Sequence, residues 1–275
     1  MAACTHNNQP SSPGQYLVDN FNNTPEVYNS DDIVIRSNTD NSASYYALLS
    51  NSEKKLYQVL YKSITEGKTT VSLSGEIDNK VTSRVVRSIV NDHPELIWLA
   101  EGYSQRVTTI DDRVSETKIQ FICNALVDSP AKYIKQMDSV AETILAQANT
   151  YNTPEAKEKF IHDYLVMNVK YDRHAYEQSA YGALVSQQAV CSGIARAFKY
   201  LLDQVGIPNY VVTGQLTDSE GITGSHAWNI VVLNGHCYNV DVTSDEVIVI
   251  KGNSRTRKAD DRLFNKSDSE FRNRG

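Results

Sequence analysis

The sequence predicts an α+β fold in which a helix beginning at a cysteine packs on an antiparallel sheet, with a smaller α+β region ahead of them. Three observations carry this. "CSGIARAFKYLLDQVGIPN" sets Ile194, Phe198, Leu201, Leu202 and Val205 at the spacing of one apolar stripe on a 3.6-residue helix. Four β-rich runs follow it: "NYVVTGQL", "SHAWNIVVL", "HCYNVDVT" and "EVIVIK". Asn234-Gly235 joins two of these runs and is the short-range signature of a type I′ hairpin.

Composition narrows the classes. The 275 residues suffice for one large domain or two smaller ones. A net charge of −6, with no basic stripe interleaved with aromatics, speaks against nucleic acid as a partner. "NSRTRK" reads as a solvated loop. No apolar run approaches the ~18 residues a transmembrane segment needs. Cys4, Cys123, Cys191 and Cys237 show no CxxC spacing, so neither a zinc site nor a disulfide scaffold is expected. His236 and Cys237 would point to opposite faces of a strand, a poor arrangement for one metal. With no calcium loop and no Gly-rich phosphate motif, no cofactor is expected.

Along the chain, residues 1–42 are rich in Asn, Ser, Thr, Asp and Pro and read as a tether or disordered leader, with "IVIRS" (Ile33 to Ser37) as a short strand. The start shows no charged and apolar segments of a signal peptide, and "AAC" resembles the end of a lipoprotein cleavage site with Cys4 as the lipidated residue. Residues 43–130 form the small α+β region. "SEKKLYQVLYKSI" is a helix capped by Ser52, with Leu56, Leu60 and Ile64 on one face. "TTVSLSG" is a strand, and "NKVTSRVVRSIVNDHPE" a helix ending before Pro94. "LIWLA", "QRVTTI" and "TKIQFICNAL" are strands, the last two a hairpin around "DDRVSE". Residues 131–275 form the second domain. It opens with the helix "AKYIKQMDSVAETILAQA". A helix capped by Thr153 follows, with Pro154 in its first turn and Phe160, Ile161, Tyr164 and Leu165 facing inward.

Gly206 and Pro208 stop the "CSGIARAF" helix, so Cys191 lies at its first turn. Backbone N–H groups there have no intrahelical partner, and the helix dipole favours negative charge, which favours thiolate. A lone cysteine in such a place is as often a small buried hydrophobe, so partners decide. The hairpin supplies them. With a two-residue turn, Leu233 pairs with His236, Trp228 lies opposite Asp241, and His226 lies opposite Thr243. His226 and Asp241 then share a face as diagonal neighbours, roughly 7–8 Å apart at their alpha carbons. A histidine oriented by a carboxylate is the base-plus-orienter half of a nucleophile triad, and Cys191 is the missing member. Trp228 shares that face and reads as core.

"AYGALVSQQAVCSGIARAFKYLLDQVGIPNYVVTG", then "HAWNIVVLNGHCYNVDVT", resembles the bacterial transglutaminase-like domain, a branch of the papain-like thiol fold. Cys191, Gly193, His226 and Asp241 stand at that family's motif positions, and the resemblance extends over residues 44–272. It departs at Ser244, where members commonly have Trp, and at Ile194, where Tyr is usual. The resemblance implies a Cys191–His226–Asp241 enzyme that transfers acyl groups from amides of a protein or peptide substrate, cell-wall peptide among the candidates, to water or to an amine. The Cys191 N–H would be one oxyanion donor, and Gln188, Gln187 and Tyr181 are candidates for a second. With the leader, the resemblance implies a site outside a Gram-positive cell. The competing reading is a protein- or cell-wall-binding module that keeps the fold without the chemistry; a reactive Cys191 thiol discriminates the two.

Overall fold

The computed structural model describes residues 15–18, 26–29, 44–111, 113–172, 178–217, 223–251 and 254–272. Cys4 and the expected strand at 33–37 lie outside them. Two short strands, β1 (Gln15–Val18) and β2 (Glu26–Asn29), pair antiparallel.

The N-terminal α+β region is built from α1 (Asn51–Thr65), β3 (Thr70–Ser74), α2 (Asn79–Asp92), β4 (Leu99–Ile110) and β5 (Arg113–Cys123), with the sheet in the order β3-β5-β4. Leu60, Ile64, Val85, Ile89 and Ile119 form its core. The cap of α1 is Ser50 rather than Ser52. Its hydroxyl accepts from the Glu53 N–H while the Glu53 carboxylate accepts from the Ser50 N–H, a reciprocal pair that Ser52 cannot make. "LIWLA" and "QRVTTI" are not separate strands. Leu96 to Trp98 lie in turns, and Leu99 enters one strand that continues past a register shift to Ile110. The β4–β5 hairpin closes at the Ile110–Arg113 pair, so most of "DDRVSE" is strand.

The second region contains α3 (Pro130–Ala148), α4 (Pro154–Asn168), β6 (Lys170–Tyr171), α5 (Ala180–Leu184), β7 (Gln188–Ala189), α6 (Cys191–Gln204), β8 (Asn209–Thr217), β9 (Thr223–Leu233), β10 (His236–Val240), β11 (Glu246–Lys251), β12 (Ser254–Ala259) and α7 (Asp268–Arg272). Its main sheet is antiparallel in the order β10-β9-β8. Helix α6 covers one face, with Ile194, Ala197, Phe198, Leu201 and Leu202 packed among Val231, Leu233, Ile161 and Leu165. It ends in a Schellman motif: the Ile207 N–H donates to the Leu202 carbonyl and the Gly206 N–H to that of Asp203, with Gly206 at φ 72°.

Three expectations are corrected here. "HCYNVDVT" is strand only to Val240, and residues 241–244 turn away. "NSRTRK" is not a solvated loop; Ser254–Ala259 pairs with β11 along its whole length. The buried stripe of α4 also takes in Glu158, His162 and Val166, which were not expected there; Ile161 and Leu165 are buried, and Phe160 and Tyr164 pack half-buried against the same core.

The two regions are joined by polar contacts at the edge of the main sheet. The Tyr45 hydroxyl and the Asn91 amide both donate to the Val211 carbonyl of edge strand β8, at 2.8 and 3.3 Å. An edge carbonyl that would otherwise offer itself to another chain is covered in this way.

Candidate active site

Asn234 (φ 51°) and Gly235 (φ 78°) both take the left-handed conformation a type I′ turn requires. The His236–Leu233 pair next to the turn and the Val240–Asn229 pair at the far end fix the register as the sequence predicted. Asp241 is the first residue past β10. There its backbone N–H donates to the Leu263 carbonyl, and its Oδ1 accepts from the N–H groups of Thr243 (3.1 Å) and Ser244 (3.2 Å). Ser244, where the family resemblance leads one to expect Trp, thus helps hold this carboxylate. The other oxygen, Oδ2, lies 2.7 Å from His226 Nε2. Both groups are shielded from solvent, with side-chain exposures of 10% for His226 and 1% for Asp241.

Since Nε2 faces Asp241, the remaining ring nitrogen, Nδ1, is the one available to Cys191, which lies near enough to add to the shift of the imidazole. Burial opposes a charged imidazole. The negative charge and hydrogen bond of Asp241 outweigh it, with Cys191 adding to them, and His226 is pushed up to about 10. Burial likewise works against the Asp241 carboxylate, but the His226 charge and hydrogen bond and those from Ser244 hold it below the usual carboxylate range. Both shifts favour an imidazolium beside an ionised carboxylate.

Cys191 is the first residue of α6. The preceding residue, Val190, has no side chain to cap the helix, so the first N–H groups remain open. The thiol is free and half-buried beside Ala195, Val211 and Ala227. Cys123 is also free, whereas Cys237 is disulfide-bonded, which the cysteine spacing did not foretell.

Other sequence candidates are dispersed. The Tyr181 hydroxyl donates to Gln136 at 2.9 Å, Gln187 is exposed, and Gln188 is half-buried in β7, three residues before Cys191. Trp228 stacks on His226 (ring centroids 6.2 Å apart) and donates its Nε1–H to Asn239, so it packs as expected. It does so on the face opposite α6, under Leu263 and Phe271. Among the described residues no group of three or more His, Cys, Asp or Glu is placed to hold a metal ion.

One residue escaped the sequence reading. Thr213 Oγ1 is buried without a hydrogen-bond partner. Helix α6 runs antiparallel to β8: Lys199 Nζ reaches the Asn209 carbonyl and Ala195 packs on Val211. Two strand residues (~6.6 Å) match four helical ones (~6 Å), so Thr213 comes level with Cys191. It lies opposite Ala227 and shares the α6-facing side. An isolated Thr in an apolar run carries no sequence signal of this kind.

Residues 139–242 match the family described as the transglutaminase-like superfamily. Two solved structures match parts of the chain. One, described as a TGase, has a TM-score of 0.36 and 17% identity over 71% of this chain and 55% of its own. The other, described as a "Putative Cysteine Protease from Cytophaga hutchinsonii", has a TM-score of 0.33 and 14% identity over 57% of this chain and 66% of its own. The chain therefore spans about half to two-thirds of the length of those proteins. No curated protein matches it. The span 139–242, which holds Cys191, His226 and Asp241, is thus similar to the transglutaminase-like superfamily.

Proposed function

We propose that Cys191, His226 and Asp241 form a thiol acyl-transfer site acting on amide carbonyls of proteins or peptides. The observation that carries the reading is the 2.7 Å His226–Asp241 hydrogen bond, which leaves the other imidazole nitrogen to the cysteine at the open start of α6.

The Cys191 sulfur attacks the amide carbon as a thiolate, with His226 holding the thiol proton on Nδ1. Negative charge develops on the carbonyl oxygen, where the Cys191 N–H and the positive end of the helix oppose it. The unpartnered Thr213 hydroxyl joins Gln188 as a candidate second donor. His226 then delivers its proton to the departing nitrogen, the C–N bond breaks, and an amine or ammonia leaves a thioester on Cys191. Water or a primary amine adds next and gives a proton back to Nδ1. The C–S bond breaks to release acid or a new amide. Asp241 keeps Nε2 protonated throughout and steadies the imidazolium.

The test compares wild type with Cys191→Ala on a glutamine-containing protein, with and without a fluorescent primary amine, followed by mass spectrometry. Amine incorporation that disappears in the variant identifies a transglutaminase. Cleavage or deamidation that disappears, without incorporation, identifies a hydrolase. Equal behaviour of both proteins on every substrate, with a Cys191 no more reactive than a free thiol, defeats the reading.

A further inference from the structure

Two histidine–aspartate pairs converge on the turn at residues 241–245. The second is His162–Asp245, with Nε2 3.2 Å from Oδ2 and both side chains fully buried. Asp245 is tied to Asp241 on three sides. Its N–H donates to the Asp241 carbonyl, its Oδ1 accepts from the Leu263 N–H, and the Leu263 carbonyl accepts from the Asp241 N–H. This ring of bonds is internal to the turn and to the Leu263 segment. His162 attaches it to α4.

The imidazole also touches the element that carries the nucleophile. His162 lies against Phe198 of α6 and Phe264, with ring centroids 6.5 and 4.8 Å away. Phe198 follows Cys191 by two helical turns. We propose that His162 is a positioning residue for the site: by clamping Asp245 to α4 it fixes the turn that aims the Asp241 carboxylate at His226. This rests on the acyl-transfer reading of Cys191, His226 and Asp241.

Electrostatics favours the same role. Burial opposes charge on His162, but hydrogen bonds to Asp163 (2.9 Å at Nδ1) and Asp245, with their charges, raise it above the ordinary histidine value. Both ring N–H groups then donate to carboxylates. Asp241 and Asp245 are buried carboxylates four residues apart, each paired with its own histidine; burial raises Asp245, and the hydrogen bonds from His162 and the Leu263 N–H work against that. The other groups facing His162 are few. Glu158, one turn earlier on α4, is pushed up to about 7 by burial. Lys159 is engaged by Asp163 and Asp261. Without a donor at position 162, the buried Asp245 Oδ2 would lose this hydrogen bond, and the turn would relax to find another partner for it.

The test uses His162→Gln, which keeps an N–H toward Asp245, and His162→Phe, which fills the space between the two phenyl rings without a donor. The readouts are the titration midpoint of His226 by 15N NMR, the rate of Cys191 alkylation by iodoacetamide, and Tm. In His162→Phe the midpoint is expected to fall by at least ~1 pH unit and alkylation near neutral pH to slow about tenfold, while His162→Gln stays within roughly threefold of wild type. A folded His162→Phe with the wild-type midpoint and rate overturns the proposal. Should that variant not fold, Asp245→Asn, which retains an acceptor for the Leu263 N–H, carries the same expectation and the same refutation. A wild-type Cys191 that is sluggish and supports no acyl transfer defeats the acyl-transfer reading alone. The His226 midpoints of the variants still decide whether His162 positions the pair.

Discussion

Replacing Asp241 by Asn keeps the shape of the side chain and removes its charge. In the wild type, His226 is raised from its ordinary 6.5 to about 10. At ~1.4 kcal/mol per pH unit, that difference corresponds to roughly 4–5 kcal/mol of preference for the imidazolium, and Asp241 supplies most of it. The depressed Asp241 carboxyl reports the same interaction from the other side, so the two are not added. Because His226 is raised, the stabilisation is fully present below pH 6.5 and is lost as pH rises through about 10. In Asp241→Asn, burial is opposed only by the weaker influence of Cys191, and the midpoint should fall toward the ordinary histidine value of 6.5, a drop of about 3 to 3.5 pH units. Cys191→Ala should lower it less, since the thiol's contribution ranks behind that of Asp241. Long-range 1H–15N spectra of the His226 ring, recorded from about pH 5 to pH 11, measure all three midpoints. A wild-type midpoint below about 8, or an Asp241→Asn midpoint within half a unit of wild type, would refute this electrostatic account of the site.

Other outcomes are equally direct. Thr213→Val should lower kcat by about 10- to 100-fold with little change in KM if the orphaned hydroxyl meets the developing oxyanion, and Thr213→Ser should restore it; steady-state kinetics on the substrate found with wild type decides. Glu158 prefers its neutral form in the fold, at about 7 against 4.5, so wild-type stability should decline as pH rises between those values. Glu158→Gln keeps an acceptor for Asn265 and should exceed wild type by about 1–3 kcal/mol in urea unfolding above neutral pH, and by little near pH 4. Gly235→Ala forces a side chain onto φ 78° and should cost about 1 kcal/mol in the same assay.

The core of the site was legible because two short-range rules carry it. The Asn234-Gly235 turn sets the register that brings His226 and Asp241 together, and the apolar stripe with its Gly206 stop places Cys191 at a helix start. What escaped was polar. His162 and Glu158 occupy stripe positions on α4 that a count of apolar residues skips. Strand β12 lies between solvent and α4, and its basic residues hide the alternation. Arg257, for one, pairs with Glu246 and caps the Met167 and Val169 carbonyls at the end of α4. The Trp228 packing partners could not be read locally either, since Leu263 and Phe271 come from the far end of the chain.

The type I′ hairpin also makes the site a length-encoded device. His226 and Asp241 are fifteen positions apart and meet only because that stretch folds back on itself at Asn234-Gly235. One residue inserted into β9 between His226 and the turn would turn the imidazole to the opposite face of the sheet, and two would restore the face but slide it by ~7 Å. Neither change alters the chemistry of any residue, yet either would separate base from orienter. Insertions and deletions inside this hairpin should therefore disturb the His226–Asp241 contact far more than most substitutions there, so that chain length between the two residues itself determines whether they meet.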